Sequence, residues 1–429
     1  MDYKEFLARK RITTRDHGVV PTEISSTLFG FQRKATEFAI RKGRAALFLD
    51  TGLGKTICQL EWARQIPGEV LILAPVAVAP QTVREALDHL GMDVHHSRDG
   101  SVRSKVTITN YERLHMFDAQ RFAGVVLDES SILKSFAGKT KQQLCEAFIQ
   151  TPYRLACTAT PSPNDHTELG NHSDFLGIMP QGHMLARWFI NDTSDTGTWR
   201  LKGHAVASFW EWVASWAVCA SMPSDLGGDD ELYKLPPLIQ RIHVVETPRK
   251  PNIEEGLLFG HAELSATNMH ADKRATLNER VEKAVELADT GDFCLIWCES
   301  NAESEAIAKA IPDCVEVVGS DDPDEKEEKL DAFSQGKVRC MVTKPSIAGF
   351  GLNWQHCNHV IFASLSYSYE SYYQAIRRTW RFGQKRPVHV DAVIADSEQG
   401  IWRTIKAKME SHDEMKSAMR TASKTNQAT

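Results

Sequence analysis

The chain has 429 residues, of which 42% are hydrophobic and 25% are charged. This composition excludes a fibrous or wholly disordered chain, and the length suggests two or three domains. The formal net charge of −6 argues against a histone-like protein that binds nucleic acid through bulk charge, but it is compatible with a local basic groove. No apolar run is long enough to span a membrane, and the N-terminus lacks the apolar core of a secretory signal. Nine cysteines without a CxxC pair favour buried reduced thiols over a metal site or a disulfide framework.

The first part of the chain alternates short apolar runs with helical stretches. The runs predict strands at Ala45–Asp50, Glu69–Ala74, Lys105–Thr109, Gly124–Asp128 and Tyr153–Thr158. Helices are predicted between several of them, such as Lys55–Gln65 and Lys139–Ile149. Continuous apolar runs are typical of strands buried on both faces. The pattern therefore predicts an α/β domain with a mostly parallel sheet flanked by helices.

The same alternation returns later and predicts a second α/β domain. Its strands are predicted at Phe293–Cys298, Val315–Val318, Arg339–Thr343, His359–Ala363 and Val388–Ile394. Its helices are predicted at Ala302–Ala310, Glu325–Phe333 and Tyr369–Trp380. We expect an N-terminal extension over 1–27, a first domain over 28–235, a second over 236–420 and a flexible tail over 421–429. A tryptophan-rich stretch at 180–235 is predicted to elaborate the first domain, with the tryptophans at 210–216 on a buried helix rather than on a base-stacking platform.

A glycine-containing segment joins the first predicted strand to the helix that follows it, and it reads Asp50-Thr51-Gly52-Leu53-Gly54-Lys55-Thr56. A strand–loop–helix context is what a phosphate-binding loop needs, because glycines and a helix N-terminus bring backbone N–H groups to phosphates. Lys55 would reach the β- and γ-phosphates, and Thr56 would be a ligand of Mg²⁺. The strict phosphate-loop pattern has glycine where this chain has Leu49. The interpretation as a phosphate-binding loop therefore depends on the strand–loop–helix context.

Two further groups of polar residues follow predicted strands. Asp128 and Glu129 end an apolar strand, which places two carboxylates at the edge of the sheet where α/β proteins bind ligands. Asp128 would hold Mg²⁺ and Glu129 would orient or deprotonate a water molecule, whereas the alternative is an ordinary acidic turn. The hydroxyls of Thr158 and Thr160 could couple nucleotide state to the second domain, and a capped turn is an equally good alternative.

An arginine-rich segment ends the predicted helix at Tyr369–Trp380. Arg378 and Arg381 are three residues apart and would share a helix face, which suits two arginine fingers that reach a γ-phosphate. Alternatively, the segment is a basic patch that binds backbone phosphates or faces solvent. Arg377, on a different face, fits that second interpretation.

These motifs occur in the order found in superfamily 2 helicases, and Gln-Ala-x-x-Arg-x-x-Arg-x-Gly-Gln at 374–384 resembles the SWI/SNF-type branch. The resemblance implies two tandem RecA-like domains, with ATP in the cleft between them and movement along DNA, usually duplex. It implies that Gln32 reads adenine, that Gly52, Leu53, Gly54, Lys55 and Thr56 bind the nucleotide, and that Glu129, Gln374, Arg378 and Arg381 are catalytic. Thr158, Thr160, Gly349, Gly351 and Asn353 correspond to coupling and nucleic-acid-contact motifs. Ser130 and Ser131 depart from the common ending in His, and the chain looks like the minimal motors of bacteriophage and bacterial genomes.

The expected partner is DNA, with RNA an open alternative, and the expected cofactors are ATP and Mg²⁺. Residues 1–44 carry ten Lys or Arg against five Asp or Glu, and a second basic cluster comprises Arg377, Arg378, Arg381, Lys385 and Arg386. Such patches neutralise backbone phosphates without reading sequence, so a partner protein would supply targeting. We expect a monomer in the cytoplasm of a bacterial or phage-infected cell. A strand-separating or branch-migrating helicase and a nucleotide-dependent clamp are the alternative functions.

Overall fold

The structure, a computed structural model, describes residues 14–75, 78–134, 138–191, 199–247, 273–348 and 352–427. The chain divides into two compact units. Unit 1 comprises Met1–Tyr233 together with Ser411–Thr429, and unit 2 comprises Lys234–Glu410. Among the helices in the described ranges, none has both the length and the apolar character needed to cross a bilayer.

Unit 1 contains a seven-stranded sheet in the order β3-β4-β2-β5-β6-β1-β9, and every neighbouring pair in it is parallel. The strands of this sheet are β1 (Arg44–Leu49), β2 (Val70–Ala74), β3 (Val94–His96), β4 (Val106–Asn110), β5 (Gly124–Asp128), β6 (Tyr153–Cys157) and β9 (Ala217–Ala220). Two further strands of unit 1, β7 (Phe189–Asn191) and β8 (Trp199–Leu201), form a separate hairpin. Its helices are α1 (Gly30–Lys42), α2 (Lys55–Gln65), α3 (Ala79–Leu90), α4 (Lys139–Ala147), α5 (Leu169–Leu176), α6 (Gln181–Trp188) and α7 (Val206–Ala214).

The central strands of this sheet are buried on both faces, as their continuous apolar sequences predict. Leu47 and Leu49 of β1 belong to one hydrophobic cluster, whereas Ala46 and Phe48 belong to the cluster on the opposite face. Because neighbouring residues of a strand point to opposite faces, each face of the sheet needs its own covering layer. The α/β prediction with a mostly parallel sheet flanked by helices is therefore confirmed.

The tryptophan-rich stretch folds as part of unit 1. It contributes α6, the antiparallel hairpin β7–β8, α7 and the strand β9, which pairs with β1. Trp212 and Trp216 are fully buried, and the ring of Trp188 stacks on that of Trp212 with centroids 4.7 Å apart. The prediction of a buried tryptophan helix is confirmed for Trp210 and Trp212 of α7, whereas Trp216 is buried but follows the end of that helix. The strand β9, which the sequence pattern did not reveal, extends the sheet beside β1.

Unit 2 contains a six-stranded sheet in the order β10-β15-β14-β11-β13-β12, again with parallel neighbours. Its strands are β10 (Leu238–Val245), β11 (Cys294–Trp297), β12 (Cys314–Val317), β13 (Cys340–Thr343), β14 (His359–Phe362) and β15 (Val388–Ala395). Its helices are α8 (Leu277–Ala288), α9 (Asn301–Ala310), α10 (Pro323–Ser334), α11 (Pro345–Ala348) and α12 (Tyr369–Ile376). Each predicted strand of this unit is present, with ends that lie within one residue of the expected ones.

A buried carboxylate joins three strands of unit 2. Asp391 of β15 accepts hydrogen bonds from Arg241 Nε at 2.9 Å, His243 Nε2 at 2.7 Å and His359 Nε2 at 2.9 Å. Burial alone would raise the pKa of Asp391, but the hydrogen bonds from His359, His243 and Arg241 outweigh it and hold that pKa well below its ordinary value. Asp391 is therefore a charged anchor between the edge strand β10 and its neighbours.

The C-terminal helix α13 (Gln399–Gln427) differs from the expected boundaries. A flexible tail was expected from residue 421, but the helix continues to Gln427. The second domain was expected to reach residue 420, whereas residues from 411 onward belong to unit 1. There Met415 and Met419 are buried in a hydrophobic cluster that includes Trp210 and Trp212. The polar composition of this segment does not predict a helix, but packing of its apolar residues on the core of unit 1 stabilises one.

Candidate functional site

Three neighbouring strands bring the predicted motifs of unit 1 to one edge of its sheet. β5, β6 and β1 are adjacent and parallel, so their carboxyl ends lie at the same edge. β1 leads into the loop Asp50–Gly54, β6 leads into Thr158, and β5 ends at Asp128. Residues from three distant parts of the sequence therefore meet because of the strand order.

The loop between β1 and α2 requires glycine at two positions. Gly52 and Gly54 have φ angles of 96° and 82°, in the left-handed region that L side chains rarely adopt. A Cβ atom on Gly54 would also clash with Nε2 of Gln32. The loop ends at α2, whose first two residues are Lys55 and Thr56. This is the arrangement that exposes backbone N–H groups at a helix N-terminus.

Gln32 supports this loop from helix α1. Its side chain is 4% exposed, its Nε2 donates to the carbonyl of Leu53 at 3.0 Å, and its Oε1 accepts from the amide of Phe29 at 2.9 Å. Both ends of the amide are thus engaged with backbone groups. The structure places Gln32 beside the loop between β1 and α2, and its expected role in reading adenine stays a prediction.

Lys55 lies among three carboxylates. Its ammonium donates to the carbonyl of Leu49 at 3.0 Å, which folds the side chain back along the loop. Removal from water lowers the pKa of Lys55, and the charges of Glu129, Asp128 and Asp50 oppose that shift. A cation held beside a helix N-terminus is suited to bind a polyphosphate.

Asp128 and Glu129 form a pair of acids at the end of β5. Asp128 is 6% exposed, and its burial, together with repulsion from Glu129, raises its pKa to about 7, against the opposing charge of Lys55. Glu129 has a φ of 53°, which is uncommon for a residue with a side chain. Such backbone strain is typical of functional sites, where the surrounding fold over-determines the conformation.

Hydroxyl groups connect Glu129 to the end of β6. The Oγ1 of Thr158 donates to Oε2 of Glu129 at 3.3 Å and accepts from the amide of Thr160 at 3.1 Å. The structure therefore brings the Thr158 hydroxyl next to the predicted water-activating carboxylate, whereas Thr160 contacts Thr158 through its backbone amide. The Thr158 hydroxyl thus connects the carboxylate of Glu129 to the backbone of Thr160.

One neighbour of this site was missed by the sequence interpretation. Nε2 of His172 in helix α5 lies 3.1 Å from Oγ of Ser130, which directly follows Glu129. Burial lowers the pKa of His172 to about 4, so its ring is neutral near pH 7. The acidic motif lacks its usual histidine in sequence, yet a histidine from another helix contacts it. No local pattern marks His172, because the contact depends on how α5 packs.

In unit 2 the predicted helix ends earlier than expected, at Ile376. Arg378 and Arg381 therefore lie on the turn after α12, and the expectation of a shared helix face is wrong. The two side chains nevertheless converge, because Nη1 of Arg378 and Nη1 of Arg381 donate to the carbonyl of Leu352 at 3.2 Å and 3.3 Å. Arg378 also donates to the Oε1 of Gln374 at 2.9 Å.

The residues around these arginines differ in their placement. Arg377 was expected to face solvent or backbone phosphate, but it is 6% exposed, and its guanidinium lies 4.9 Å from the ring centroid of Trp380. Arg377 therefore packs against aromatic rings and does not face solvent. Within the expected basic cluster, Lys385 and Arg386 are exposed. Asn353 directly follows Leu352. Gly349 and Gly351 lie outside the described residues.

Several basic side chains of the N-terminal region are engaged in contacts within unit 1 where the structure describes them. Arg41 pairs with Glu37 at 2.8 Å, and Lys42 pairs with Asp16 at 2.6 Å. Lys34 donates to the carbonyl of Leu226 at 3.0 Å. Four of the ten basic residues lie at positions 4 and 9–11, outside the described part of the chain.

Two sequence comparisons show which known proteins this chain is similar to. Residues 272–383 match the helicase conserved C-terminal domain. The SWI/SNF-related matrix-associated actin-dependent regulator of chromatin subfamily A-like protein 1 of Xenopus tropicalis is 22% identical over 452 aligned positions, which cover 95% of this chain and 47% of that protein. The chain thus spans about half the length of that relative.

The fold is also similar to that of a solved helicase structure. S. cerevisiae Dbp5, in a substituted form bound to RNA and ADP BeF3, matches with a TM-score of 0.56 and 13% identity over 92% of this chain and 93% of that one. The two parallel sheets flanked by helices are therefore a RecA-like helicase fold. The matched helicase domain, the SWI/SNF-related relative and the fold neighbour together support a superfamily 2 helicase/ATPase, a class of proteins that uses ATP.

Proposed function

We propose that this protein is an ATP-dependent DNA translocase, which couples ATP hydrolysis to movement along DNA, with duplex DNA favoured. The observation that carries the proposal is the meeting of the phosphate loop, the Asp128–Glu129 pair and Thr158 at the ends of three adjacent parallel strands. A loop that binds phosphates, beside acids and a linked hydroxyl, can hold a nucleotide and respond to its hydrolysis.

The nucleotide-binding roles follow from the chemistry of each group. The N–H groups of Gly52 and Gly54 and the ammonium of Lys55 bind phosphate oxygens, whereas the N–H of Leu53 donates to the Asp50 carbonyl within the loop. Gln32 supports the loop while it contacts adenine. The hydroxyl of Thr56 and the carboxylate of Asp128 are the oxygen ligands that Mg²⁺ prefers. Bound magnesium would offset the negative charge of the phosphates.

The catalytic roles fall to Glu129 and to the arginine turn. Glu129 orients a water molecule and accepts its proton, and the hydrogen bond from Thr158 holds that carboxylate in place. Arg378 and Arg381 stabilise the charge of the phosphoryl group during hydrolysis, and Gln374 orients Arg378 through the 2.9 Å hydrogen bond. Gly349, Gly351 and Asn353 contribute to nucleic-acid contact, and Thr160 contributes to coupling.

DNA is favoured as the track because of the SWI/SNF-like motifs and the SWI/SNF-related relative. Phosphate contacts do not by themselves distinguish DNA from RNA, and the fold neighbour Dbp5 is bound to RNA. An RNA substrate therefore has to be compared directly with DNA.

The test is the steady-state ATPase rate of the purified chain with no nucleic acid, duplex DNA, single-stranded DNA and RNA in parallel. We expect duplex DNA to raise the rate at least about tenfold and to do so more than RNA does. Glu129→Gln should lower the stimulated rate by about 10²-fold or more, because the proton acceptor is lost. Equal rates with and without every nucleic acid would contradict the proposal, and stimulation by RNA alone would replace DNA with RNA as the track.

A further inference from the structure

The C-terminal helix brings a cation to the base of the phosphate loop. The ammonium of Lys416 forms an ion pair with Oδ1 of Asp50, a residue 366 positions earlier in the sequence. Lys416 and Asp50 are 4% and 8% exposed. Removing one partner of an ion pair this buried leaves the other charge unpaired away from water, which is strongly destabilising.

Asp50 is itself part of the loop. Its amide donates to the carbonyl of Ala220 in β9 at 3.0 Å, and its carbonyl accepts from the amide of Leu53 at 3.2 Å. The residue thus joins the end of β1 to the first turn of the loop. Anything that fixes the Asp50 side chain also restrains the loop backbone.

The charge of Asp50 also matters to the groups around it. Its carboxylate is one of three that act on Lys55. A carboxylate without a counter-ion at this position would attract the Lys55 ammonium and repel the phosphates of a nucleotide. Lys416 neutralises this charge and leaves Lys55 available for the phosphates.

We propose that Lys416 is a positioning residue for nucleotide binding, which acts through Asp50 by neutralising its carboxylate and holding it at the base of the phosphate loop. This inference rests on the proposed ATP-binding function of the loop. It assigns a role in nucleotide binding to the C-terminal helix, which lies outside every motif recognised in the sequence. The role is electrostatic, so replacing both members of the pair by neutral residues should compensate for the loss of one.

The experiment measures the Kd of a fluorescent ATP analogue with Mg²⁺ for the full chain and its variants. We expect Lys416→Met to raise the Kd about tenfold or more, and Lys416→Arg to stay within about threefold of the parent chain. The double variant Asp50→Asn with Lys416→Met should return to within about threefold, since it buries no unpaired charge. Arg420→Met is the matched control, because Arg420 is a cation of the same helix whose ion pair is with Asp225 (3.5 Å) rather than with Asp50, and the variant should leave the Kd unchanged.

Thermal melts establish that each variant is folded, and the double variant keeps the test decisive if Lys416→Met unfolds. An unchanged Kd in folded Lys416→Met would overturn the inference. So would a double variant that binds as weakly as Lys416→Met, because the role would then be structural rather than electrostatic. A parent chain that binds no nucleotide would instead overturn the proposed function.

Discussion

Asp128 is expected to reduce the stability of the nucleotide-free protein, and Asp128→Asn tests this directly. Burial beside Glu129 raises the pKa of Asp128 from an ordinary value of 3.8 to about 7. Between these two values the folded state holds a proton that the unfolded state has released, so stability falls as pH rises through this window. At 1.36 kcal/mol per pKa unit, the raised pKa of Asp128 lowers the free energy of unfolding by about 4 kcal/mol at pH 8 and by about 2 kcal/mol at pH 5.5.

The assay is thermal unfolding without nucleotide or magnesium at pH 5.5 and pH 8. For a unit of this size, 1 kcal/mol changes Tm by about 2–4 °C, so Asp128→Asn should raise the Tm at pH 8 by at least about 5 °C. The gain should shrink by roughly half at pH 5.5. Asp88→Asn, at an exposed position of α3, is the matched control for the loss of one carboxylate and should change little. A Tm of Asp128→Asn at or below the parent value at pH 8 would refute the reasoning.

Three further variants test other parts of the structure. Lys55→Ala should lower the nucleic-acid-stimulated ATPase rate to less than about 1%, because the phosphates lose their cation, while urea unfolding shows the fold retained. Gly54→Ala should destabilise unit 1 by about 1–2 kcal/mol in urea unfolding, since a side chain would occupy a left-handed position against Gln32; an unchanged midpoint would contradict the loop geometry. Asp391→Ala should destabilise unit 2 by about 3 kcal/mol at pH 7, because three donors lose their acceptor. Because the pKa of Asp391 is lowered in the fold, its contribution is present above about pH 4 and is lost as the pH falls, so an equal difference at pH 7 and pH 3 would argue against it.

The parts that were predictable from sequence depend on strong local patterns. Buried parallel strands such as Gly124–Asp128 are continuous apolar runs, and their ends are marked by polar residues that the sheet places at one edge. The strand–loop–helix connection at 44–65 was predictable because two glycines and a lysine follow such a strand and open a helix. Each of these signals lies within about ten residues of sequence.

The parts that were not predictable depend on tertiary packing. Helix α12 stops at Ile376, and Arg378 in the turn that follows donates to the carbonyl of Leu352, 26 residues away. His172 meets Ser130 through the packing of α5, 42 residues from the motif. Helix α13 was expected to end in a flexible tail, yet Met415 and Met419 anchor it to the core of unit 1. No pattern within one segment encodes such contacts.

The most direct test of the central proposal is displacement of a third strand from a duplex in the presence of ATP. A protein that moves along duplex DNA removes a triplex-forming oligonucleotide in its path without separating the underlying strands. We predict ATP-dependent displacement by the parent chain, little displacement by Glu129→Gln, and no unwinding of a forked duplex under the same conditions. A parent chain that hydrolyses ATP on duplex DNA but leaves the third strand in place would contradict translocation.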